Sequence, residues 1–205
     1  MALALPPAER DAADTLPPPA AVGPTRRVLL ANVVLSQAAW FATVVGAAHG
    51  QPAWGMAAAA AVVGWHLRVS ARPAPEARLV ALALLLGLAV ETRALAQGHV
   101  RYPGNGWPAA LPPLWLIALW GLFAVSLNVA LRWLRGRYAL AAAVGAVVGP
   151  LSYLSGVRLG AASFVDPAAA LFTVALGWSV ALPLLVWLAE RCDGVGAPRA
   201  ETAHG

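Results

Sequence analysis

The sequence predicts an all-α fold, a polytopic transmembrane helical bundle of about six helices with both termini in the cytoplasm. Two observations predict it. The chain of 205 residues is 60% hydrophobic and only 11% charged, where a soluble domain carries about 25% charged residues. The deficit is spatial: long runs have no charge at all, as hydrocarbon demands when each charge at the bilayer centre costs roughly 2.5–3.5 kcal/mol on insertion scales. The second observation is that all fourteen basic residues are arginine and gather at the ends of those runs.

Taken in order, residues 1–24 mix Pro, Ala and both charge signs and read as a disordered cytoplasmic tail. Residues 25–190 form the bundle, and 191–205 a short cytoplasmic tail. Arg26-Arg27 before the first apolar run resembles a twin-arginine export signal. Five more apolar runs follow, so the pair reads instead as a positive-inside anchor. The expected spans run from about Val28 to Ala48, Pro52 to Leu67, Leu79 to Gln97, Pro113 to Leu134, Tyr138 to Val157 and Ala168 to Leu188. Most are near the ~20 residues that a ~30 Å core requires. The second is short, and charge interrupts the third.

Arginine counts give the topology. With the N-terminus inside, the inner segments hold Arg10, Arg26, Arg27, Arg68, Arg72, Arg78, Arg132, Arg135, Arg137, Arg191 and Arg199. The outer segments hold only Arg93, Arg101 and Arg158. That alternation keeps register with six spans. Trp54 and Trp107 fall near the outer interface, and Trp65, Trp133 and Trp187 near the inner one, where amphipathic rings are favoured. A formal charge of +5 placed at segment ends argues against nucleic-acid binding. Cys192 is the only cysteine, which excludes an intramolecular disulfide and a cysteine-rich metal site.

Helix five carries the clearest pattern. Gly145, Gly149, Ser152, Gly156 and Gly160 recur at spacings of four, three, four and four, one stripe of small residues on a helix. Such a stripe admits another helix backbone, either within the chain or in a homo-oligomer or partner protein. Pro150 should kink the helix beside Gly149. In helix three, Glu91 and Arg93 lie two residues apart and point to different faces. Glu91 is expected to meet Arg158, and Arg93 to meet Asp166 or snorkel to the interface. With Tyr153 and His49, these form a candidate polar site on the outer side, where His99, Arg101, Tyr102 and Trp107 also lie. A buried structural ion pair is the plainer reading of the same residues. His49 and His99 have no metal-ligand spacing, so no metal and no cofactor is expected. His66 reads as an interfacial residue and His204 as part of the tail. Asn32, Gln37 and Asn128 are intramembrane polar groups suited to interhelical hydrogen bonds. No nucleotide loop, nucleophile elbow or internal repeat is present, and Ser152 and Ser155 lack a nearby histidine.

Several blocks resemble the domain-of-unknown-function family numbered 2878, small bacterial inner-membrane proteins. They are NVVLSQAAWFATVVGAAH from Asn32 to His49, PLWLIALWGLFAVSLNVALRWL from Pro113 to Leu134, and GAVVGPLSYLSGVRLGA from Gly145 to Ala161. A weaker match, LGWSVALPLLVW, runs from Leu176 to Trp187. The resemblance implies a multi-pass protein of the bacterial inner membrane and points to Gln37, Trp40, Glu91, Trp115, Trp120, Asn128, Pro150, Tyr153 and Arg158. Glu91 stands where the family pattern has an aspartate, and the N-terminal tail is an extension. Three functional readings follow. The first is a non-enzymatic assembly or accessory protein, suggested by the helix-five stripe. The second is a small permease or lipid-handling protein with a periplasm-facing polar site. The third is an intramembrane enzyme acting on lipid, with Glu91 or His49 as acid or base.

Overall fold

The computed structural model describes residues 23–102 and 110–196. The expected N-terminal tail up to residue 22, Arg10, Trp107, Arg199 and His204 lie outside them. Among the described residues six α-helices make up the fold: α1 Arg26–Ala48, α2 Pro52–Val69, α3 Pro73–Ala96, α4 Leu114–Leu127, α5 Tyr138–Arg158 and α6 Pro167–Arg191. Four of them, α1, α3, α5 and α6, are long and apolar enough to cross a membrane.

Helix starts follow local chemistry. The Thr25 hydroxyl accepts from the Val28 amide at 3.3 Å and caps α1. Prolines open α2, α3 and α6 at their first turn, where the missing N–H would have had no partner. Asp166 caps α6 by accepting from Ala169 N at 3.0 Å, so it is not the partner expected for Arg93.

Two expected boundaries are corrected. Helix three begins at Pro73, well before Leu79, because Glu76 and Arg78 are carried in its first turns. Helix four ends at Leu127 and not at Leu134. The chain then turns through Asn128 and forms a 3-10 segment at Arg132–Leu134. The apolar pattern hides this break. Asn128 and the arginines after it are drawn sideways into a polar cluster near Cys192, which a continued helix could not supply.

α4 is the axis of the bundle. It buries Trp115, Leu116, Trp120, Gly121, Leu122, Ala124, Val125 and Leu127, more than half of its 14 residues, and packs against α1, α2, α3 and α6. α5 is peripheral: it buries only Ala141, Gly145 and Gly149 and packs on α6. Its other faces expose Val147, Val148 and Leu151, as suits contact with lipid tails. At one end of the bundle a short antiparallel ribbon pairs Val100 with Phe164 and Arg101 with Ser163. It ties the α3–α4 connection to the α5–α6 connection. The opposite end carries most of the arginines.

The glycine stripe divides into two. A Cβ on Gly145 would lie 2.2 Å from the Trp178 carbonyl oxygen, and one on Gly149 would lie 2.6 Å from the Trp178 indole. These two glycines let α6 seat against α5. Gly156 meets nothing within 4 Å, and Ser152 and Gly156 line a small cavity. Gly160 is outside the helix, in the left-handed conformation at φ +89° that terminates it. The stripe therefore forms a tight interhelical notch over its first half only, Gly160 making just an ordinary 3.7 Å approach to Ala48.

Candidate functional site

Glu91 is at the centre of the ribbon half of the bundle and is 2% exposed. One carboxylate oxygen accepts from Trp120 Nε1 at 2.9 Å. The other accepts a short hydrogen bond from the Tyr153 hydroxyl. The site is thus built from α3, α4 and α5.

A repeated device positions it. On α3, Gly87 precedes Glu91 by four residues, hence on the same face. A Cβ at Gly87 would lie 2.4 Å from Trp120 Cγ, so the glycine is what lets the indole reach the carboxylate. On α5, Gly149 precedes Tyr153 by the same four residues and admits the Trp178 ring. The two indoles then stack on each other, centroids 4.8 Å apart at 23°, with Phe123 edge-on to Trp178 at 5.2 Å. Two glycine notches and two stacked tryptophans hold the carboxylate and the phenol together.

Two cavities flank this centre, and Tyr153 lines both. The smaller, about 40 Å³, is bounded by Trp40 and Val44 of α1, Trp115, Leu116 and Leu119 of α4, and Tyr102. Tyr102 and Tyr153 are neighbours there. Burial, and next the charge on Glu91, push the Tyr102 hydroxyl well above the usual phenol range, so it remains a neutral hydrogen-bonding group. The larger cavity, about 490 Å³, lies between α3 and α6. Its polar groups are Glu91, Tyr153, Arg93, Gln97 and Thr173; Thr173 donates to Gln97 at 2.7 Å. Its rim includes Phe172, Leu176 and Val180, which are 70%, 55% and 65% exposed. Side chains so placed face outward from the bundle, so this cavity opens laterally.

The remaining candidates are distributed differently from expectation. The Glu91–Arg158 ion pair does not form: both Glu91 oxygens are engaged by Trp120 and Tyr153, and Arg158 is exposed at the end of α5. Arg93 lines the larger cavity from an exposed position. His49 is exposed, and its ring bonds the Val45 carbonyl of its own helix at 2.8 Å, so it takes no part in the site. Asn32 is buried and donates to Val125 O at 3.0 Å, joining α1 to α4. Gln37 is exposed. No cluster of three potential metal-ligating side chains occurs among the described residues.

Asn128 belongs to a second polar centre, at the arginine-rich end, which the sequence did not reveal. Glu76, wholly buried, accepts from His66 Nε2 at 2.9 Å, Asn128 Nδ2 at 2.8 Å and Gly194 N at 2.7 Å. Asn128 also donates to Cys192 O at 3.2 Å. Asp193 is gripped by Arg132 at 2.8 Å and Arg135 at 2.9 Å. Burial opposes its charge, but the hydrogen bonds and charges of the two arginines outweigh that and hold its pKa at about 2. Arg72 fixes the same segment through both its backbone and its side chain. The turn Cys192–Gly194 is thereby latched to α3, α4 and the 3-10 segment. Glu76 looks in sequence like an ordinary acidic residue in a helix first turn, and only packing brings His66 and Asn128 to it.

The fold and the site define a polytopic helical membrane protein with a buried carboxylate beside a lateral cavity. Residues 29–184 match the family model described as Protein of unknown function (DUF2878), and the chain belongs to that family. No curated protein and no solved structure matches the chain.

Proposed function

We propose that this is a lipid-handling protein that receives an amphiphilic molecule laterally into the cavity between α3 and α6. The larger cavity carries the reading. Its volume of about 490 Å³ falls within the range of small-molecule sites, which combine apolar walls with a few placed polar groups. Its flank of Phe172, Leu176, Val180 and Leu184 repeats every four residues, a stripe about 18 Å long at 1.5 Å per residue. That stripe suits an acyl chain, and Glu91, Tyr153 and Arg93 suit a polar head. Ionisable groups at such depth in a bundle mark functional paths by default.

The assembly reading rested on the glycine stripe, half of which is taken up by the α5–α6 contact. In the proposed setting, the cytoplasmic membrane, both termini face the cytoplasm, because Arg26, Arg27, Arg68, Arg72, Arg78, Arg132, Arg135, Arg137 and Arg191 favour that side.

The test is a lipid profile of a deletion strain complemented with wild type, Glu91→Gln or Gly177→Leu. Wild type restores the profile and the two variants do not. A deletion strain with an unchanged lipid profile would remove the basis of this reading.

A further inference from the structure

We infer that the head group selected by the larger cavity is a zwitterion carrying a primary ammonium and a phosphate, as in an aminophospholipid, with the ammonium on Glu91 and the phosphate on Arg93. The inference rests on the lipid-handling reading above and specifies its ligand.

Charge complementarity carries it. Glu91 lines the cavity, yet no arginine or histidine among the described residues pairs with it. Ionised opposite a bound cation, the carboxylate offers about four lone-pair sites, and the protein fills two of them, from Trp120 and Tyr153. The remaining capacity suits a donor that also brings positive charge, because a buried charge is retained when it is paired. An ammonium supplies three N–H donors on one compact centre.

Arg93 fixes the other half of the head group. It lines the same cavity but is exposed, two residues nearer the ribbon end than Glu91. A guanidinium at the rim and a carboxylate deeper in the wall are the reverse of a lipid whose ammonium leads and whose phosphate trails. Arginine binds phosphate through paired N–H donors. A phosphatidylglycerol head would bring the same phosphate but no cation to Glu91, and a diacylglycerol would bring neither charge.

The test uses the full chain in nanodiscs containing equal amounts of phosphatidylethanolamine and phosphatidylglycerol of identical acyl chains, with retained lipid read by native mass spectrometry. Wild type is expected to retain phosphatidylethanolamine with about a tenfold preference, equivalent to about 1.4 kcal/mol. Glu91→Gln should bring the two lipids to parity, Arg93→Gln should weaken retention of both, and Gly177→Leu should abolish it. Gly177 is suited to that last arm because a Cβ there makes only an ordinary 3.6 Å contact with Val90, while a leucine reaches into the cavity. The preference is measured on wild type, so it is decided whether or not Glu91→Gln folds. Equal retention by wild type, abolished by Gly177→Leu, overturns the ammonium assignment and leaves the lipid-handling reading intact. Retention that Gly177→Leu does not change overturns both.

Discussion

Gly87 of α3 and Trp120 of α4 are so closely apposed that a methyl group on the glycine would lie 2.4 Å from the indole Cγ. The same indole donates to Glu91, one helical turn further along α3. Packing and the polar site are therefore a single construction: the absence of one side chain sets the hydrogen bond of another.

Gly87→Ala should displace the Trp120 ring, which is wedged against Trp178 and cannot simply swing away. Overpacking of this kind costs about 1–3 kcal/mol. The expected outcome is a lower unfolding midpoint in detergent and an altered near-UV signal from the tryptophan stack. Gly156→Ala, with nothing within 4 Å, should leave both unchanged.

On α5, the two halves of the glycine stripe should behave oppositely. Gly149→Leu collides with Trp178 and should separate α5 from α6, which proteolysis of the α5–α6 connection would report as faster cleavage. Gly156→Leu should be tolerated in the same assay. Equal sensitivity of the two variants would mean that the outer half of α5 has a contact beyond those in this chain.

At the opposite end, Glu76→Gln places an amide NH₂ among donors from His66, Asn128 and Gly194. Either one of them loses its acceptor, or His66 switches tautomer to accept from the amide and buries an unpartnered Nδ1–H, at about 1–3 kcal/mol in each case. The loss should be non-additive with that of Asn128→Ala, because the two residues share a hydrogen bond. A double-mutant cycle of unfolding in detergent measures the coupling.

Asp193 gives a pH dependence of known sign. Its folded pKa, about 2, lies below the ordinary value of 3.8, so its stabilising contribution is complete above about pH 4–5 and declines as pH falls toward 2. The stability difference between wild type and Asp193→Asn should be flat from pH 5 to 8 and shrink below pH 4. Cys192, the single buried cysteine, reports the same latch. Maleimide labelling should be slow in wild type and faster in Asp193→Asn, since labelling requires local opening. Equal labelling rates in the two proteins would show that Arg132 and Arg135 do not hold this turn closed.

The division between what was legible in the sequence and what was not follows interaction range. Long uncharged runs bounded by arginines are local signals, and they place all six helices, with the start of α3 and the end of α4 displaced. Glu91 was conspicuous because a charge inside an apolar run is itself a local anomaly. Charge and depth alone suggest Arg158 as its partner, whereas packing supplies Trp120 and Tyr153. Depth alone groups Tyr153 with Glu91, but a neutral O–H or N–H satisfies a carboxylate as well as an ion does in geometry, and nothing in the neighbourhood of Trp120 marks it as a donor. Glu76 and His66 were invisible for the converse reason, since each looks ordinary at a helix end.

The sequence by itself determined the class of the protein, an all-α membrane bundle, because the bilayer filters every segment by its own apolarity and length. Only the tertiary structure decided where α4 stops, which glycines admit which tryptophans, and that Glu91 shares a lateral cavity with Arg93. Those outcomes depend on the shapes of surfaces brought together from separate helices, and the energy of such contacts is written in no single segment.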